Sequence, residues 1–130
     1  MLIQGETEGT GKLTINGENE GLDSELHLTV NSGNIYITAN DDGINTNEDG
    51  VSVTTINGGY LYINAGLGEE GDGIDSNGSI VINGGKLIAS ASEHADEGGI
   101  DADLGITING GTVLALSLIH ILPLYYISLP

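Results

Sequence analysis

One spacing constrains this chain more than any other property: a pattern that returns every 26 residues. Val30-Asn31-Ser32-Gly33-Asn34-Ile35-Tyr36-Ile37 is followed by Ile56-Asn57-Gly58-Gly59-Tyr60-Leu61-Tyr62-Ile63. Two further copies start at Ile82 and Ile108. A fixed period of this length marks a stacked architecture, in which each unit buries its apolar side chains against the next.

Each unit holds three short apolar segments. The first is a Gly-Ile-Asp corner. The second runs Val53 to Ile56, with relatives at Ser79 to Ile82 and Gly105 to Ile108. The third runs Leu61 to Ile63, with relatives at Ile35 to Ile37, Leu87 to Ala89 and Val113 to Ala115. The second and third alternate apolar and polar residues, the period of a half-buried strand, and no helical period of useful length appears. Stacking then predicts columns. Val30, Ile56, Ile82 and Ile108 form one, Ile35, Leu61, Leu87 and Val113 a second, and Ile37, Ile63, Ala89 and Ala115 a third. Asn31, Asn57, Asn83 and Asn109 form a polar column able to bond amide to amide as a ladder. Gly33, Gly59, Gly85 and Gly111 follow two residues later, where a corner calls for positive φ. The pattern predicts an all-β, three-sided parallel β-helix of about four to five rungs.

Two irregularities locate loops. Leu22, Ile74 and Ile100 each precede their Val30, Ile82 and Ile108 neighbours by eight residues, whereas Ile44 precedes Ile56 by twelve. The loop before Ile44 is four residues shorter, so the period survives. Lys12 to Ile15 reads as a third strand whose rung lacks four residues, and residues 1–11 as a partial rung or a disordered start. Residues 12–115 form the repeat region. Residues 116–130 break the pattern with an apolar run containing Pro123 and Pro130, too short to span a membrane as a helix. Leu116-Ser117-Leu118-Ile119-His120-Ile121 is also one reading frame of a transposase-end adapter. The tail is read as a read-through artefact, the alternative being a hydrophobic end cap. No signal peptide pattern follows Met1, and the chain reads as a fragment.

Two lysines and 19 acids give a net charge of -17. That balance argues against nucleic acid and anionic membrane surfaces, and favours cations, neutral polymers or simple solubility. With no cysteine there is neither a disulfide scaffold nor a thiolate metal site.

The acids recur at the corners. Stacking places Asp23, Asn45, Asp75 and Asp101 in one column at about 4.8 Å per step, with Glu20, Asp42 and Asp72 beside it. Carboxylates that close repel by about 1 kcal/mol in water and by several times more in a protein environment. A cation or raised pKa values must relieve the column. Calcium takes six to eight hard oxygens at about 2.3–2.6 Å, which suits a rung-spaced set; magnesium is stricter and keeps its water. The alternative is a set of Asx turns with solvated acids.

Residues 71–85 and 56–65 together resemble the bacterial carbohydrate-binding β-helix family, and the likeness covers about residues 12–115. The characterised type of that family binds cellulose and acidic pectic sugars and carries calcium. The resemblance implies a right-handed parallel β-helix, a secreted or cell-surface location, and calcium held by Asp42, Asn45, Asp72, Asp75 and Asp101. At the last corner Gly98 stands where Asp72 supplies its acid, and the tail matches nothing in the family.

Tyr36, Tyr60 and Tyr62 share an outward face, with Asn34, Thr38 and Asn64 around them. Such a row can stack sugar rings, or simply stabilise the sheet across strands. Lys86 on the same face suits an acidic sugar. Two β-helix enzyme classes are set aside. Calcium-dependent pectate lyases need a basic residue as proton acceptor, and only Lys12 and Lys86 are available. Polygalacturonases use paired aspartates, but their accompanying His and Arg motifs are missing. His27 and His94 are isolated. The sequence reads as a non-catalytic, calcium-stabilised domain with a polysaccharide partner, plant cell-wall cellulose or acidic pectic sugar, and without membrane insertion. The alternatives are a surface-repeat or adhesin module without sugar affinity, and a polysaccharide lyase or hydrolase.

Overall fold

The computed structural model describes residues 1–7, 9–95, 98–117 and 124–129, with side chains through residue 116. The β-branched runs form 14 strands and no helix among these residues. They stack as a parallel β-solenoid with three walls. Wall A holds β1 (Leu2–Ile3), β4 (His27–Val30), β7 (Val53–Ile56), β10 (Ser79–Ile82) and β12 (Ile106–Ile108), in that spatial order. Wall B holds β2 (Lys12–Gly17), β5 (Asn34–Ala39), β8 (Tyr60–Asn64), β11 (Lys86–Ala91) and β13 (Gly111–Ser117). Wall C holds β3 (Leu22–Ser24), β6 (Ile44–Thr46) and β9 (Ile74–Ser76), extended by a parallel bridge from Ile74 to Ile100.

The register follows the sequence period. Val30 pairs with Ile56, Ile56 with Ile82, and Ile82 with Ile108. Wall B repeats this with Ile35, Leu61, Leu87 and Val113. Lys12 faces Asn34, so the first rung is four residues short, as its sequence predicts. On wall C, Leu22 pairs with Ile44 and Ile44 with Ile74, successive steps of 22 and 30 residues. The lost and regained residues lie in the loops, leaving the walls in register. Leu28, Val30, Ile35, Ile44, Ile56 and Ile82 are among the side chains that fill the interior, each at most 1% exposed. Full burial of such a side chain stabilises the fold by about 1.5–3 kcal/mol.

The asparagine ladder forms. Asn109 Nδ2 donates to Asn83 Oδ1 at 2.8 Å, Asn83 to Asn57 at 2.7 Å, and Asn57 to Asn31 at 2.9 Å. Asn31 then donates to Gln4 Oε1 at 3.1 Å, so the partial first rung supplies a ladder member that the asparagine pattern alone does not show. Gly33, Gly59, Gly85 and Gly111 take φ values of +113°, +91°, +85° and +89°, the left-handed turn expected at that corner.

In the tail 116–130, residues 118–123 and 130 lie outside the described set. Strand β14 (Leu124–Leu129) lies antiparallel along β13, with Leu116 opposite Leu124 and Gly111 opposite Leu129. It closes the edge of wall B that another parallel rung would otherwise extend.

Candidate functional site

Two regions carry the chemistry, and wall order separates them. The first is the acidic corner leading into wall C. A glycine column, Gly21, Gly43, Gly73 and Gly99, brings the backbone turns close together there. A Cβ at Gly43 would lie 2.5 Å from Gly73 O and run into the Ile63 side chain. These glycines are present for lack of space, because none of the four has positive φ.

That close approach stacks the acids. Asp72, Asp75 and Asp101 each bring a carboxylate oxygen within 4.8 Å of the other two. Asp72 is 8% exposed, and Asp75 and Asp101 are partly buried. The backbone uses one oxygen of each rung's leading acid: Asp72 N–H donates to Asp42 Oδ1 at 2.7 Å, and Gly98 N–H to Asp72 Oδ1 at 3.1 Å. Gly98 thus keeps the bond while lacking the acid. Burial pushes the Asp42 carboxyl up from 3.8 to about 6, with the charges of Asp41, Asp75 and Glu20 adding to the rise and the Asp72 N–H opposing it. Asn45 sits between Asp23 and Asp75 in register, and its Oδ1 is buried with no hydrogen-bond partner. A buried carbonyl oxygen left unpaired costs about 1–3 kcal/mol. The five residues of the sequence reading therefore occupy neighbouring positions on consecutive rungs; three converge, and Asp42 and Asn45 stand one rung away. Asp23, at the far end, is instead held by Asn47 Nδ2 at 2.6 Å.

Behind this corner lies a hydroxyl network that the sequence reading missed. Thr46 Oγ1 donates to Ser76 Oγ at 2.8 Å and lies 3.1 Å from Thr54 Oγ1. Ser52 Oγ donates to the Thr46 carbonyl at 2.9 Å. All four residues are buried. The available signal was the small hydroxyl following three of the four corner residues, Ser24 after Asp23, Thr46 after Asn45 and Ser76 after Asp75.

The second region is the outer face of wall B. Tyr36 and Tyr62 pair directly across β5 and β8, and are 36% and 44% exposed. Tyr60 and Tyr36 have ring centroids 5.8 Å apart, with planes tilted by 54°. Lys86 Nζ lies 5.9 Å from the Tyr60 centroid, and Lys12 Nζ 5.2 Å from that of Tyr36. Cations over ring faces at such distances are attracted by the quadrupole. Lys12 is an addition: the sequence reading did not place it at the tyrosines. No strand of wall B contains an acid, and both lysines lie on this wall. His27 is far in function from both regions: its Nδ1 accepts the Val53 N–H at 3.2 Å.

Fold and site together make this a parallel β-solenoid with an exposed aromatic and cationic wall. Residues 6–118 match the family model of carbohydrate-binding domain-containing proteins, and the chain belongs to that family. Searches among curated proteins and among solved structures match nothing.

Proposed function

We propose that this protein is a non-catalytic, calcium-stabilised carbohydrate-binding module that works outside the cell or at its surface on plant cell-wall polysaccharide, cellulose or acidic pectic sugar. The observation that carries the reading is the outer face of wall B: an acid-free sheet with Tyr36 and Tyr62 exposed, Tyr60 half-buried beside Tyr36, and both lysines over the rings, in a chain of the carbohydrate-binding family. Ring faces stack on the C–H faces of sugars, and Lys86 and Lys12 supply the charge an acidic sugar needs.

The corner fits calcium. Its donors are all oxygens, and Asn45 Oδ1 is a buried acceptor without a partner. Asp72, Asp75 and Asp101 would hold the ion, with Asp42 and Asn45 completing the oxygen supply from the preceding rung. The ion supplies positive charge that offsets carboxylate repulsion between rungs. Catalysis is a poor fit, because the lysines sit on wall B while the aspartates cluster at the entry to wall C. Neither lysine is at the acid cluster to act as its proton acceptor.

The test is a pull-down on cellulose and on polygalacturonate, with and without calcium, comparing wild type with a Tyr36→Ala, Tyr60→Ala, Tyr62→Ala variant. The variant is expected to lose cellulose, and chelation to reduce retention on polygalacturonate. Equal retention of variant and wild type on both polymers would sink the reading and favour a surface-repeat module without sugar affinity.

A further inference from the structure

The outer face of wall B has a grain. Its side chains fall into three lanes that cross the strands, fixed by the parallel register. The middle lane is Thr14, Tyr36, Tyr62, Ile88 and Leu114. One flank is Lys12, Asn34, Tyr60, Lys86 and Thr112, and the other Asn16, Thr38, Asn64, Ser90 and Leu116. From Tyr36 to Leu114 the middle lane is aromatic or aliphatic, while the flanks are mainly amides, hydroxyls and both lysines, with Tyr60 in the first flank and Leu116 ending the second. The second flank is linked across strands, with Ser90 Oγ donating to Asn64 Oδ1 at 3.2 Å.

Read along a strand, the order is different. Strand β11 presents Lys86, Ile88 and Ser90, polar, apolar and polar in turn, and then leaves the sheet. A pyranose ring carries C–H groups on its faces and oxygens around its rim. An extended, unbranched glycan can therefore offer apolar ring faces flanked by polar edges at successive sugars. Such a chain matches the lanes when it runs with them, across the strands. We infer that an unbranched polysaccharide lies along the solenoid axis, its ring faces on Tyr36, Tyr62, Ile88 and Leu114 and its carboxylate-bearing edge beside Lys12 and Lys86. The inference rests on the carbohydrate-binding reading above and adds the direction of the chain. It also assigns contact roles to Ile88 and Leu114, two aliphatic residues that a search for aromatics passes over. The lane crosses five strands, four steps of about 4.8 Å or about 19 Å in all, so affinity should rise with glycan length until the lane is filled.

The experiment is calorimetric titration of a galacturonate disaccharide and a long oligogalacturonate, at constant calcium, into wild type, Ile88→Ser and the Tyr36→Ala, Tyr62→Ala double variant. Ile88→Thr, which keeps the β-branched shape, serves in place of Ile88→Ser if that variant melts early. The expected result is a several-fold loss for the long oligomer at Ile88, larger than the loss for the disaccharide, with loss at both lengths for the tyrosine variant. Wild-type affinity of the Ile88 variant for the long oligomer, with the tyrosine variant impaired, would overturn the axial direction and leave the carbohydrate reading standing. Wild-type affinity of the tyrosine variant, or no binding by wild type, would overturn the inference, and retention on cellulose in the pull-down above then decides the carbohydrate reading.

Discussion

At Asp42 burial and neighbouring acids raise the carboxyl from 3.8 to about 6, and a raised acid makes the folded state the better proton binder. Its contribution to stability is therefore complete below about 3.8 and is lost as pH rises through about 6. The metal-free protein should show a falling melting temperature across that window, and Asp42→Asn should flatten it. Melting curves at several pH values check this; an unchanged slope in the variant would show that other groups set it. Calcium should shrink the same step, because a cation favours the ionised carboxylate. Gly43 makes a different demand. Its Cα sits where a methyl would meet Gly73 O and Ile63, so Gly43→Ala should destabilise by about 1–3 kcal/mol, as overpacked sites do. Denaturant unfolding measures it.

Among elements, the strands of walls A and B were the most legible part of the chain. Their alternation and period place Ile56 on Ile82 without any tertiary information, since in a parallel stack register equals repeat spacing. The corner Asp and Asn column was legible for the same reason. Three features were not. The Thr46 to Ser76 hydrogen bond depends on which side chain turns inward at a three-residue strand, and Ser and Thr are common on either side. Lys12 reaches Tyr36 because a shortened rung brings β2 beside β5, a placement the lysine itself does not announce. Strand β14 runs against the repeat direction, so a period cannot predict it. Two substitutions probe the element scale. Ile82→Ala empties a position 1% exposed and should cost about 2–5 kcal/mol. Asn83→Ala removes one donated and one accepted bond of the ladder; at about 0.5–1.5 kcal/mol for each bond, and with the ladder facing solvent, its loss should be the smaller. Equal losses in urea titrations would mean that the ladder contributes as much as the core.

For the whole molecule, the acidic corner makes stability depend on solution composition. A ligand that binds only the folded state stabilises it by mass action. Calcium should therefore raise the melting temperature, chelator should lower it, and Asp75→Ala should remove most of the difference. A melting curve indifferent to excess chelator would count against structural calcium. Because Asp75 lies on wall C and the tyrosines on wall B, the same variant at saturating calcium and moderate temperature should still bind cellulose.

The acid-free wall also has a kinetic consequence. With no acid on the strands of wall B and both lysines on it, in a chain of net charge -17, the described residues are polarised: wall B should repel an anionic fibre less than the other walls do. On the proposed function, a freely tumbling copy should be turned away in most orientations and admitted in the one that presents the tyrosines, so that its own field would select the productive encounter before any ring is touched. Added salt, with a screening length of about 8 Å at physiological strength, relaxes that selection. Association with polygalacturonate should then gain speed and lose orientational discrimination together, while association with cellulose changes little.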